Sequence, residues 1–242
     1  MIFTDPPYNV NFSSTTPSRK KILNDNLPTA DFLSLLRRSF AQMKRAASPT
    51  AFYYVCCNWA SYHHFYEELS AALRRIHALI VWVKDSPGLG QAYRNQHEFI
   101  VTGGNNEAIR YTEEHEGIFF ASDNPSIRFT IRTESNVWRY PAPNSFTMRK
   151  TDNAGRSSLP HPTMKPVALI ARAIQNSSRL GERVLDLFLG SGSTLIACEQ
   201  TGRTCYGTEL DPVYCDVIVT RYCEFTGRRT VIRNGEPMEW PL

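Results

Sequence analysis

The chain has 242 residues, a formal net charge of +4 and an ordinary 42% of hydrophobic residues. No apolar run approaches the roughly 18 residues that span a membrane, and MIFTDPPY lacks a basic n-region and a long apolar core, so neither a membrane span nor a secretory signal is expected. The six cysteines form no CxxC pair, which points to reduced thiols in a cytoplasmic protein rather than to disulfides or a metal site, and the mild positive charge permits a polyanionic partner without demanding one.

Ile2-Phe3-Thr4 reads as the end of a buried strand that runs into Asp5-Pro6-Pro7-Tyr8. Two prolines stop strand pairing and stiffen the turn. The result is a carboxylate, carbonyls without competing proline N–H groups, and an aromatic face. Asp5 and the Pro6 carbonyl can accept N–H hydrogen bonds from an exocyclic amino group while Tyr8 stacks on its ring. Taken alone, the four residues fit a Pro-Pro turn with a capping Asp and a packed Tyr equally well. An opening in mid-strand also suggests a segment upstream of residue 1.

Residues 11–26 are polar and carry Arg19, Lys20 and Lys21, a loop readable as a lid, as a phosphate contact or as solvated surface. Apolar spacing predicts a helix from Thr29, as N-cap, to about Ala46. A strand over 51–56 follows, then a helix from Ser61 to about Ile76 and a strand over 78–83. Strand–helix alternation with fully apolar strands argues for a parallel α/β sheet. The loop over 86–95 is too short for a crossover helix, so a strand over 97–102 should run antiparallel to its predecessor.

Periodicity fades over 105–160, which reads as an irregular insert in a single domain spanning 1–242. Between 128 and 156 six basic residues (Arg128, Arg132, Arg139, Arg149, Lys150, Arg156) face two acidic ones, interleaved with Phe129, Trp138, Tyr140 and Phe146. That mixture suits phosphates and bases, although an ordinary polar insertion shares it.

Order resumes at His161-Pro162-Thr163-Met164-Lys165-Pro166 and a helix over 167–177. A strand over 183–188 then enters Leu189-Gly190-Ser191-Gly192-Ser193-Thr194 and a helix to about Gln200. The glycines let a ligand approach the backbone and the helix N–H groups. No Gly-Lys-Ser/Thr follows, so this is not a nucleotide P-loop. A strand over 204–208 ends at Glu209, 23 positions beyond Asp186. An acid there can hold ribose hydroxyls, and Asp186 can accept from a cationic amine. Together they suit a nucleoside with a charged amino-acid tail, as in S-adenosylmethionine.

DPPY, the central insert, HPTMKP, DLFLGSGST and TELDP together resemble the amino-group DNA methyltransferases of the permuted beta type, over nearly the whole chain. VWVKDSPGLGQAYRNQHEFIV is similar to that family's two strands before its recognition insert. The resemblance implies a circularly permuted Rossmann-like methyltransferase fold with a mixed, mostly parallel sheet and 105–160 as target-recognition region. It implies an S-adenosylmethionine-dependent enzyme methylating adenine N6 in double-stranded DNA, in a restriction–modification setting. Cytosine-N4 methylation is the alternative, and a DNA-binding scaffold that keeps the fold without turnover is the alternative of another class. Asp5, Pro6, Pro7 and Tyr8 would form the catalytic turn. Asp186, Phe188, Gly190, Ser191, Gly192, Ser193 and Thr194 would line the methionine side, Glu209 would hold the ribose, and His161, Thr163 and Lys165 would close the cofactor pocket. Asn9 would line either ligand. Arg19, Lys20, Lys21, Arg128, Arg132, Arg139, Arg149 and Lys150 would contact DNA. A ParB-like domain upstream in the same polypeptide fits the family's arrangements, and the oligomeric state is open, a dimer included. No nucleophilic role falls to Cys56 or Cys57.

Overall fold

The structure, a computed structural model, describes residues 1–12, 22–88, 94–105, 109–114, 117–122, 133–143, 150–151, 157–158 and 164–241; of these, 109–114, 117–122, 133–134, 150–151 and 157–158 are described as backbone. The first four strands, all in the central sheet, are β1 (Ile2–Thr4), β2 (Phe52–Cys57), β3 (Arg75–Val83) and β4 (His97–Gly104). Between β4 and the next helix lie β5 (Ile109–Glu114), β6 (Gly117–Ser122), β7 (Thr133–Glu134), β8 (Val137–Arg139), β9 (Lys150–Thr151) and β10 (Ser157–Ser158). β11 (Arg183–Asp186), β12 (Thr204–Gly207) and the hairpin of β13 (Thr230–Arg233) and β14 (Glu236–Glu239) follow. The helices are α1 (Thr29–Ala46), α2 (Tyr62–Ala72), α3 (Val167–Ser177), α4 (Ser193–Thr201) and α5 (Pro212–Thr226).

The seven-stranded sheet has the order β12-β11-β1-β2-β4-β3-β8. β12, β11, β1 and β2 pair in parallel, β4 runs antiparallel to both β2 and β3, and β8 lies parallel to β3. The expected antiparallel fourth strand is therefore present, wedged between β2 and β3. Alternating side chains bury both faces, as a sheet covered by helices requires. Phe3, Tyr54, Cys56, Ile100 and Trp138 pack with α3 and α4 on one face. Ile2, Tyr53, Val55, Cys57 and Val101 pack with Phe32, Leu36 and Phe40 of α1 and Phe65 of α2 on the other.

Several boundaries depart from the sequence reading. Pro28 holds the cap position of α1 without a side-chain cap bond, and Thr29 is already helical. α2 ends at Ala72, because pairing with β4 draws residues from Arg75 onward into β3, with a register shift between Ile76 and Ala78. Sheet pairing here overrides local helical pattern. Within 105–160, where the sequence reads as irregular, β5, β6 and β7 form a small antiparallel sheet, and β8 completes the edge of the central sheet with Trp138 buried. Beyond Glu209, Asp211 caps α5 by accepting from the Val213 N–H at 2.9 Å. The β13–β14 hairpin turns at Asn234-Gly235, both at positive φ, the geometry a two-residue hairpin loop favours. Among the described residues no helix is long and apolar enough to cross a membrane.

Candidate active site

β1 leads by way of α1 to β2 on one side, while β11 leads by way of α4 to β12 on the other. The strand order therefore reverses between β1 and β11, and a crevice opens at their carboxyl ends. A cleft of about 710 Å³ occupies that end of the sheet. Asp5, Pro6, Pro7 and Tyr8 line it from β1, and Asp186, Phe188, Gly190, Ser191, Ser193, Thr194 and Glu209 line it from β11, α4 and β12. Two motifs roughly 180 positions apart in the chain thus share one cavity because their strands are neighbours, with Ile2 opposite Leu185.

On the β11 side, Asp186 is only 3% exposed. It accepts from Thr4 Oγ1 at 2.9 Å, Thr194 Oγ1 at 2.6 Å and the Phe188 N–H at 3.0 Å. Burial outweighs these donors and raises its carboxyl to about 6. Gly190 and Gly192 both take positive φ. Gly192 does not line the cleft; a Cβ there would lie 3.2 Å from Ile218, so its part is to let the turn pack. The Ser193 hydroxyl, buried at the start of α4, has no hydrogen-bond partner among the described residues. An unmatched hydroxyl beside free helix N–H groups suits an anionic group of a ligand. Glu209 Oε2 accepts from the Gly190 N–H at 2.7 Å, and its Oε1 accepts from the N–H groups of Leu210 and Asp211. It therefore ties the glycine turn to the corner before α5 while facing the cleft.

On the β1 side the arrangement is ionic. Asp5 Oδ2 accepts from Lys165 Nζ at 2.6 Å, and Asp5 Oδ1 accepts from the Tyr8 hydroxyl at 2.6 Å. Glu98 of β4 stands beside them, its Oε2 3.0 Å from the Tyr8 hydroxyl and 3.2 Å from Lys165 Nζ. Its Oε1 accepts from Lys84 Nζ at 2.5 Å. Burial alone would raise Glu98, but Lys165 and Lys84 outweigh it and hold the carboxyl down at about 2. Burial raises Asp5; Lys165 opposes that shift and the like charge of Glu98 adds to it. The Tyr8 ring packs edge-on against Phe65 and carries Lys165 Nζ 5.2 Å from its centroid.

Lys165 therefore sits with the Asp5 turn, rather than only closing the opposite pocket. Asn9 does not line the cleft either. At φ 58° it clamps Leu27, donating to its carbonyl at 2.9 Å and accepting from its N–H at 2.7 Å. Buried Asp25 reinforces the same closure through the N–H groups of Val10 and Phe12. Of the residues read as DNA contacts, Arg139 is exposed on β8, and Lys150 is described only as backbone in β9. Arg19, Lys20, Lys21, Arg128, Arg132 and Arg149 lie outside the described residues, as do His161 and Thr163. Cys56 and Cys57 are buried, and burial raises both thiols, which disfavours thiolate. Sequence reasoning missed Glu98 and Lys84. Their signal was a charged residue within one apolar strand and another directly after the end of its neighbour, since a charge taken from water needs a partner.

Residues 1–220 match the family model N6_N4_Mtase, described as DNA methylase. The type II methyltransferase M.HpaI of Haemophilus parainfluenzae is 25% identical over 233 residues, which cover 94% of this chain and 69% of that protein. In fold, the chain is similar to the crystal structure of the M1.HpyAVI–SAM complex, with a TM-score of 0.59 and 22% identity over 91% of this chain and 87% of that one. It is also similar to the cytosine-N4-specific PvuII DNA methyltransferase, with a TM-score of 0.63 and 14% identity over 91% of this chain and 78% of that one.

Proposed function

The chain belongs to the family of DNA methylases that act on amino groups, and from that premise we propose that it methylates the exocyclic N6 of adenine in double-stranded DNA, with S-adenosylmethionine as methyl donor. The observation that carries this reading is the shared cleft: an amine-accepting turn faces a glycine turn and helix start across the switch point.

The residues of the β11 side fit the cofactor. The unmatched Ser193 hydroxyl and the start of α4 suit its carboxylate, Asp186 its ammonium, and Glu209 its ribose hydroxyls. When bound there, S-adenosylmethionine supplies an activated methyl group. On the β1 side the target base must leave its stack to reach the cleft. Tyr8 offers its ring face, while Asp5 and the Pro6 carbonyl accept the amino hydrogens. The amino lone pair of adenine is delocalised into the ring and makes a poor nucleophile. Hydrogen bonds to two fixed acceptors favour a more tetrahedral nitrogen with its lone pair turned outward. Catalysis then comes from positioning and from polar groups already in place.

Asp at the head of the turn supports adenine over cytosine. Likeness to a cytosine-N4-specific enzyme supports cytosine-N4 as the second reading. Incubation with isotopically labelled S-adenosylmethionine and mixed-sequence DNA, followed by nucleoside mass spectrometry, separates them. N6-methyladenine is expected. N4-methylcytosine supports the second reading, and label in neither nucleoside leaves a DNA-binding scaffold.

A further inference from the structure

We propose that Glu98 is a positioning residue for methyl transfer: a second carboxylate that draws Lys165 Nζ and the Tyr8 hydroxyl toward itself as the target amino group takes its place on Asp5. The inference rests on the methyl-transfer reading above and goes on to how Asp5 becomes available.

Each oxygen of Asp5 already holds a donor at 2.6 Å, Lys165 on one and Tyr8 on the other. The amino group therefore arrives at a carboxylate in use. Both of those donors also lie within reach of one atom, Glu98 Oε2, at 3.2 and 3.0 Å. The Tyr8 hydroxyl has a single proton, so it satisfies one carboxylate fully only at the expense of the other. Glu98 Oε1 is fixed by Lys84, which leaves Oε2 turned toward the pair. A small shift thus moves both donors from one acid to the other without a proton changing owner. The four charges of Asp5, Glu98, Lys84 and Lys165 stay balanced throughout.

The shift matters for the chemistry. Positive charge develops on the amino nitrogen as its bond to the methyl carbon forms and that carbon's bond to the departing thioether breaks, and it lasts until one N–H proton is lost to solvent; an ammonium held tightly on Asp5 opposes that charge. Lys165 drawn onto Glu98 leaves Asp5 as the nearest uncommitted anion. A merely structural role would be to tie β3, β4 and the Asp5 turn together, and that role predicts loss of fold with no specific effect on the chemical step.

The test is single-turnover methylation by the full chain, with saturating S-adenosylmethionine, across pH, for Glu98→Gln, Tyr8→Phe and the double variant. The groups facing Asp5 are Lys165 before α3, Tyr8 on the turn, Glu98 on β4, Cys56 and Cys57 on β2 and Asp186 on β11. Glu98→Gln should slow transfer by about 10- to 100-fold, the scale of a slightly misplaced reacting group, with cofactor affinity unchanged. Its acidic limb should move to lower pH, because Asp5 loses a like-charged neighbour. The double variant should be no slower than the slower single one, since both act on one hand-over. A folded Glu98→Gln variant with the parent rate and an unmoved limb overturns the proposal, as do two effects that simply multiply. Should Glu98→Gln fail to fold, Lys84→Gln takes its place, and a parent-like rate there overturns the proposal equally. A parent chain that methylates no DNA removes the methyl-transfer reading and this inference with it, whereas an active parent with unaffected variants removes this inference alone.

Discussion

Asp5 and Asp186 are both carboxylates at strand ends, the first partly buried and the second fully buried, and their surroundings give them different tasks. Asp5 has an ammonium and a phenol for partners, while Asp186 has two hydroxyls and a backbone N–H. Asp5→Ala should cost about 2.7–4 kcal/mol in the transfer step, some hundred- to thousand-fold, by analogy with deleting one preorganised polar group. Folding should survive, because Lys165 keeps Glu98 as its counterion. Single-turnover rates at saturating cofactor check this, and transfer at the parent rate would make the turn merely structural. Tyr8→Ala should instead weaken retention of the flipped base by about 1–3 kcal/mol, the scale of one aromatic–base stack, seen in a DNA-binding assay. Asp186, raised to about 6, is neutral in the ligand-free protein below that pH and charged above it. An ammonium prefers the charged form, so cofactor affinity should rise with pH through this window. Calorimetry should find binding about tenfold weaker at pH 5 than at pH 7, since each unit below the carboxyl's own value removes tenfold of the charged form. A flat profile would exclude Asp186 as the partner of the amine.

The element that organises the cofactor side is the β11–turn–α4–β12 unit, and Glu209 is its fastener. Its two oxygens hold the N–H groups of Gly190, Leu210 and Asp211, and so join the glycine turn to the corner that starts α5. Glu209→Ala should weaken cofactor binding by roughly 1–3 kcal/mol, the cost of polar partners left unmatched. Thermal unfolding should fall by a few degrees in the same variant, because the corner loses its acceptor. Undiminished binding in a calorimetric titration would take the ribose from Glu209 and leave it a purely structural residue.

At the scale of the whole molecule, the cleft must meet a polyanion. Neutralising Arg132, Arg139 and Arg149 together should weaken DNA binding and flatten its dependence on salt, by about 0.9 in the log–log slope for each phosphate no longer paired with a cation. Cofactor affinity should not change, since exposed Arg139 lies on β8, at the opposite end of the sheet order from the β12 edge. An unchanged salt slope in a titration series would move the DNA-binding surface elsewhere, to Arg19, Lys20 and Lys21 among other basic residues.

Local chemistry was legible without coordinates. Proline stiffness marked the Asp5 turn, the glycines before Ser193 marked a tight turn between strand and helix, and apolar spacing set α3 at Val167–Ser177. Each depends on residues within a turn or two of one another, where sequence distance and spatial distance nearly agree. The permuted Rossmann-like sheet that the resemblance implies is present, and in it β1 pairs in parallel with β11. Only the tertiary structure decided that Glu98 and Lys84 join Asp5. Glu98 is 90 positions from Tyr8, and Lys165 is 160 from Asp5. They meet because β4 runs backwards between β2 and β3, which brings the start of one strand to the ends of its neighbours. A buried carboxylate must find its counterion wherever the topology brings one, and no local pattern of residues encodes that distance.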